Sequence, residues 1–248
     1  MLPVVLTDIG LTIVLTGIIS LVKPLRFLGI SNRAWALGVL VAGFLLLVVA
    51  TRLPASETTV GSTTHILDRL TPAYHFHEFH SATVRASPER VYHGIKEITA
   101  DEILLFRTLI AIRQMGRPMP ASVTSQPQNR PLFEIAIRST FVLLADTPNE
   151  IVVGTVVHVP PGFGPWRPRT ADEFLALRSR PGFALATVNY LIEPAGGGAT
   201  VISTETRVYA TDAPSRHRFG MYWRIIYPGS AFLRRVWLRA LRVRVERA

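Results

Sequence analysis

Two long apolar stretches, Leu2 to Val22 and Ala34 to Ala50, fill the first 51 residues; later hydrophobic runs are shorter and broken by polar positions. A helix rises about 1.5 Å per residue and a bilayer core is roughly 30 Å thick, so the first stretch spans it comfortably and the second spans it when nearly upright. The pattern predicts a two-helix transmembrane hairpin over residues 1–51. Thr51 to Pro72 is rich in Ser, Thr, Pro and Gly and keeps no period, which reads as a tether over residues 52–73. One water-soluble domain then occupies residues 74–248, a length that suits a single core.

Within that domain the period changes from element to element. Tyr74 to Arg85 alternates, with Phe76, Ala82 and Val84 on one face, and predicts a first strand. Ser87-Pro88-Glu89 supplies a capping hydroxyl, a proline at the first helical position and an early acid, so a helix begins there with Val91, Ile95 and Ile98 as its stripe. Thr99 and Glu102 have capping-box spacing and open a second helix, Asp101 to Met115, that is apolar on most sides. Gly116 to Pro131 contains four prolines and reads as a loop or lid. A short helical piece, Leu132 to Ile137, precedes strand-like runs at Thr140 to Ala145, Ile151 to Val159, Phe183 to Ile192 and Ala199 to Tyr209. Pro214 to Arg247 is helical in pattern, with a break expected at Tyr227-Pro228-Gly229-Ser230 because proline removes an intrahelical donor and Ser230 can cap a new start. Leu233, Val236, Trp237, Ala240, Leu241 and Val245 form the apolar stripe of its second half, with Arg234, Arg235, Arg239 and Arg242 beside it.

The formal charge of +10 is concentrated at one end: from Pro214 onward there are nine arginines and one acid, Glu246. No nucleic-acid-binding motif accompanies them, so these arginines read as a solvated or snorkelling face or as contacts to anionic lipid, and no nucleic-acid partner is assigned. Cysteine is absent, which excludes disulfides, thiolate zinc sites and a cysteine nucleophile. Lys23, Arg26 and Arg33 lie between the two apolar stretches against Arg52 after the second; this bias places both termini, and the soluble domain, on the outer side of a bacterial plasma membrane. The chain start lacks a basic region and a small-residue cleavage site, so a removable signal peptide is the weaker reading.

The order of strand, two short helices, antiparallel strands and a long terminal helix resembles the helix-grip fold of the SRPBCC superfamily, which includes START lipid-transfer domains and polyketide cyclases. The residues that carry the resemblance are the run His80 to Val91, then Ser203-Thr204-Glu205-Thr206-Arg207-Val208, and after it Phe219, Tyr222-Trp223-Arg224, Pro228-Gly229-Ser230, Arg234-Arg235 and Leu238-Arg239-Ala240. Together they are similar to a membrane-anchored bacterial subgroup of that superfamily. The resemblance implies an α+β domain in which a curved antiparallel sheet wraps a long C-terminal helix around an apolar cavity. It implies an apolar small molecule or lipid as partner, no cofactor and no shared catalytic motif.

The candidate ligand-binding residues follow from strand parity and chemistry. Glu78 and His80 share a strand face with Ala82 and Val84; an inward carboxylate beside an imidazole would orient a polar ligand or serve as an acid-base pair. Glu205 and Arg207 share one face of a later strand, with Thr204 and Thr206 on the other, but Val201 and Tyr209 argue for one face inward and Ile202 and Val208 for the opposite. Tyr222 in the terminal helix offers a hydroxyl. Phe163 and Trp166, in the Gly/Pro-rich loop Pro160 to Pro168, are candidates for membrane contact. His75 and His77 alternate as zinc ligands do, but a third ligand would have to come from His65, His93 or His158, and no metal site is assigned. No GxSxG elbow, Walker loop, HExxH or dinucleotide fingerprint occurs. Three functions are therefore carried forward: a membrane-anchored binder of an apolar molecule, a cyclase- or dehydratase-like enzyme using buried Glu and His, and a partner-docking module of a membrane complex. Catalysis is not required by anything in the sequence.

Overall fold

A computed structural model describes residues 2–53, 55–106, 108, 130–163 and 167–247. The chain divides into two compact units, Met1–Ser56 with Gly220–Tyr227, and Glu57–Phe219 with Pro228–Ala248.

In the first unit, α1 (Leu2–Val22) and α2 (Arg33–Arg52) pack against each other as an antiparallel pair. Both are long and apolar enough to cross a membrane by length and composition. Small residues line their contact: Ala36, Gly43 and Ala50 are buried at every seventh position of α2, and on α1 Gly10 lies against Leu47 and Gly17 against Leu40. A Cβ added at Gly17 would stand 2.8 Å from the Leu40 nitrogen, and one at Gly43 would stand 2.8 Å from the Val14 nitrogen, so the backbones meet where side chains would hold them apart. Other large residues point away from the contact, with Leu15, Trp35 and Phe44 exposed. Between the helices a single 3-10 turn, Arg26–Leu28, ends at Gly29 in the left-handed region, and Asn32 caps α2 by accepting the Trp35 amide at 3.0 Å.

The second unit is built on a sheet of five antiparallel strands: β3 (Phe76–Val84), β4 (Val142–Asp146), β5 (Glu150–His158), β6 (Ala184–Gly196) and β7 (Ala199–Ala210), in the spatial order β3-β7-β6-β5-β4. A long helix, α7 (Ala213–Arg247), lays Leu238, Leu241 and Val245 on one face of this sheet, against Val84, Val153, Val188, Ile192 and Ile202. Two further helices complete that core. α4 (Pro88–Glu97) starts at Ser87, whose hydroxyl accepts the Arg90 amide at 3.3 Å, and buries Val91 and Ile95; α5 (Leu132–Ser139) packs Leu132, Phe133 and Ile137 alongside. The arrangement is α+β with the sheet gripping a long terminal helix, the helix-grip fold.

Three expectations need correction. Residues 57–73 are not a free tether: they form β1 (Thr58–Thr59), α3 (Ile66–Leu70) and the start of β2 (Ala73–Tyr74), and α3 is held to the sheet by the buried Glu150 carboxylate, which accepts the Ile66 and Leu67 amides at 2.6 and 3.2 Å. The terminal helix runs unbroken through Pro228, and the Ser230 hydroxyl bonds to Glu78 instead of capping a new start. A short helix, α6 (Ala171–Ala176), capped by Thr170, adds to the elements expected; its Phe174 joins Leu177, Phe183 and Leu185 in a second apolar cluster. The capping box at Thr99 and Glu102 forms as expected, with the Glu102 carboxylate 2.8 Å from the Thr99 nitrogen, but it opens a 3-10 turn, Ala100–Glu102. The helix expected to continue to Met115 falls mostly outside the described residues, as does the loop from Gly116 to Gln128.

Candidate functional site

On the helix-facing side of the sheet, the β3 end is polar and the β5–β6 end is apolar. Strand period sends Glu78 and His80 to the same face as Ala82 and Val84, and the register sets Thr206 opposite Glu78 and Thr204 opposite His80. Glu78 is fully buried. One of its carboxylate oxygens meets His80 Nε2 at 3.0 Å, and the other accepts the Ser230 hydroxyl at 2.8 Å. One helical turn beyond Ser230, Arg234 donates through Nη1 to the Thr204 hydroxyl at 2.5 Å and through Nη2 to the Thr206 hydroxyl at 2.7 Å. Glu78, Thr204 and Thr206 are thus each answered by a polar group on the helix, and His80 by Glu78, as buried polar groups require.

Beside this network lies a cavity of about 240 Å³. Its walls are Ile98, Phe133, Val153, Tyr190, Leu233 and Trp237 among others, with the Tyr190 and Trp237 rings 5.0 Å apart, and among the described residues Arg234 is the one charged residue lining it. The volume is somewhat below the roughly 300–1,000 Å³ seen for small-molecule sites, which suits a small guest, and mainly apolar walls with a few convergent polar groups are the usual composition of such a site. By sequence alone Arg234 reads as one of the solvated arginines. Its role as the polar end of the cavity depends on Thr204 and Thr206, residues that local spacing does not connect to it.

Glu205 and Arg207 lie on the opposite face of the sheet, so they do not meet Glu78 and His80. Arg207 is buried; it donates through Nε to Glu205 at 2.5 Å, through Nη2 to Asp68 at 2.8 Å and through Nη1 to the Thr71 carbonyl at 3.2 Å. Glu205 also meets His77 Nε2 at 3.0 Å. Burial alone would push the Glu205 carboxyl up, but hydrogen bonds from His77 and Arg207 outweigh it and hold the group below the usual carboxylate range. Asp68 behaves alike: desolvation opposes ionisation, and the His65 amide together with the Arg207 guanidinium overcome it. Arg207 is raised in turn, since its two carboxylates outweigh its own burial. A second cavity of about 300 Å³, lined by His65, Asp68, Ser203, Glu205 and Arg207 among others, adjoins this network. The guanidinium faces acids of its own chain on two sides, an arrangement that pins α3 and β7 together.

Tyr222 is half-buried and lies within Gly220–Tyr227, among the residues of the first unit; it lines neither cavity. Phe163 packs edge-on against Phe183 at 4.9 Å in the second apolar cluster, and Trp166 lies outside the described residues. His75 and His77 turn to different partners, Glu57 at 3.4 Å and Glu205 at 3.0 Å, and among the described residues no group of three His, Asp or Glu side chains is placed to hold a metal ion.

No protein-family model matches the sequence, and no curated relative does either. Solved structures with a similar course of chain include TTHA0849 from Thermus thermophilus, at 13% identity over 68% of this chain and 97% of that one, with a TM-score of 0.28. Norcoclaurine synthase from Thalictrum flavum, in complex with dopamine and hydroxybenzaldehyde, matches at 11% identity over 76% of this chain and 95% of its own, with a TM-score of 0.25. Human STARD10 matches at 9% identity over 81% of this chain and 78% of its own, with a TM-score of 0.26. At such identities and TM-scores the helix-grip assignment rests on this chain's own strand order and on the helix packed across it.

Proposed function

We propose that this protein is a membrane-anchored binder of an apolar small molecule or lipid, held between the sheet and the terminal helix. The observation that carries the reading is the cavity of about 240 Å³ with aliphatic and aromatic walls. Burial there favours an apolar guest by roughly 25 cal/mol per Å² of surface removed from water, while the polar end sets its orientation. Anchoring is supported by α1 and α2, whose glycines let the two backbones approach closely and many of whose large apolar side chains, Leu15, Trp35 and Phe44 among them, are exposed, unlike a helix pair buried in a soluble core. The basic loop Lys23–Arg33 argues for both termini on the outer side of a plasma membrane.

Native mass spectrometry of the full chain released from nanodiscs tests the reading. A bound mass that is lost on organic extraction and recovered on adding lipid extract is expected; a chain that carries no guest and takes none up overturns it.

A cyclase- or dehydratase-like activity is the second reading, favoured by the 3.0 Å contact between buried Glu78 and His80. Neither residue lines the cavity wall, so binding stands first. Turnover abolished by Glu78→Gln in a folded chain would reverse that order.

A further inference from the structure

We propose that the guest of the helix-side cavity is a monocarboxylate amphiphile, its apolar body against Val153, Tyr190 and Trp237 and its head on Arg234; this rests on the reading of that cavity as a ligand site. Among the described residues Arg234 is the one charged residue lining it. Its two bonds go to the Thr204 and Thr206 hydroxyls, which are neutral acceptors; they orient the guanidinium and leave its charge uncompensated. Among the described residues no carboxylate forms an ion pair with it, in contrast to Arg207, which meets two, and Arg244, which meets Glu97 and Glu102. The acid that shares its face of the sheet, Glu78, is engaged by Ser230 and His80.

A half-buried charge beside apolar walls is costly without a counter-charge, and the remaining donors of a planar guanidinium match the two oxygens of a carboxylate. Among the described residues one cation and no second basic side chain line the wall, and one positive charge balances one negative charge, which favours a carboxylate over a phosphate dianion. The apolar lining then selects an acid with a hydrocarbon or aromatic body, and the threonine pair fixes which end of the cavity the head occupies.

The test compares two probes of matched length, octanoate and 1-octanol, titrated calorimetrically into the full chain in phosphatidylcholine nanodiscs, with empty discs as blank. Octanoate is expected to bind at least tenfold more tightly than octanol, and Arg234→Gln is expected to remove that preference by weakening octanoate at least tenfold more than octanol. Equal affinity for the two probes in the unaltered chain overturns the carboxylate inference and leaves the cavity reading intact. Failure of both probes to bind the unaltered chain overturns the cavity reading itself. A preference that survives Arg234→Gln overturns the assignment to Arg234. If Arg234→Gln also loses octanol, Arg234→Met, which refills the stem volume with apolar atoms, replaces it with the same outcomes.

Discussion

Ser230, on the helix that closes the chain, donates its hydroxyl across 2.8 Å to the carboxylate of Glu78, a residue 152 positions earlier on the first strand of the main sheet. Both are buried, Glu78 almost completely. The bond therefore joins the two ends of the helix-grip domain, and it occupies the side chain that would otherwise be free to cap a new helix after Pro228. Glu78 becomes a structural acid as much as a candidate catalytic one.

Removing the Ser230 hydroxyl should leave a buried carboxylate short of one donor, a loss of about 1–3 kcal/mol. Urea unfolding of Ser230→Ala, Glu78→Gln and the double variant, in the same nanodiscs, measures it. The two changes should couple, with an interaction energy of about 0.5–3 kcal/mol as for side chains in direct contact. Strictly additive losses would mean that the two groups do not share a proton.

Much of this site is readable from strand period, and the part that is not has a physical cause. Glu78 and His80 can be set beside Ala82 and Val84 because β3 is an edge strand whose alternation is legible. β7 is flanked by β3 and β6 and covered on both faces, by α7 on one and by the Asp68 segment on the other, so Val201, Ile202, Val208 and Tyr209 give no single inward side. The role of α3 is hidden because Glu150, its anchor, is more than 80 residues away in sequence. Pro228 reads locally as a helix breaker at about 3 kcal/mol. The burial of Phe219 before it and of Ala231, Leu238 and Leu241 after it overrides that local preference.

Acid should weaken the protein in part through Asp68 and Glu205. Both carboxyls are held below their usual range in the folded chain, whereas in the unfolded chain they titrate near about 3.9 and 4.3. A depressed folded value means that the stabilisation is complete above the unfolded values and is lost as pH falls through the folded ones, because the unfolded chain takes up protons first. Urea midpoints from pH 7 down to 2.5 should fall steeply below about pH 4. Asp68→Asn should lower the midpoint at pH 7 and flatten the acid limb; a curve that runs parallel to that of the unaltered chain would show that the Arg207–Asp68 pair does not contribute.

Close approach of α1 and α2 should fail when the seam is filled. A side chain at Gly43 has its first carbon 2.8 Å from the Val14 backbone nitrogen, which cannot move aside as a side chain can. The chain has no cysteine, so spin labels at Val5→Cys and Val49→Cys report the hairpin directly. Gly43→Leu should lengthen and broaden the label distance, while Gly38→Leu, at a position with nothing within 4 Å, should leave it unchanged. Equal distances in all three chains would remove the small-residue seam as the cause of pairing.

A larger side chain on the cavity wall separates a hollow interior from a filled one. Val153 is 4% exposed on β5 and lines the cavity of about 240 Å³, whereas Ile192 is 1% exposed on the same face of the sheet and lines no part of it. Overpacking a filled core costs about 1–3 kcal/mol, because neighbours must leave their rotamers. Ile192→Phe should incur that loss. Val153→Phe should not: its ring enters space that is already there, so the urea midpoint should hold or rise. The same ring should displace the guest, weakening octanoate and octanol together by at least tenfold, since it competes for the walls and not for Arg234. Equal destabilisation by the two substitutions, with no binding to lose, would mean that the sheet and terminal helix enclose a solid core and that the protein's function lies elsewhere on its surface.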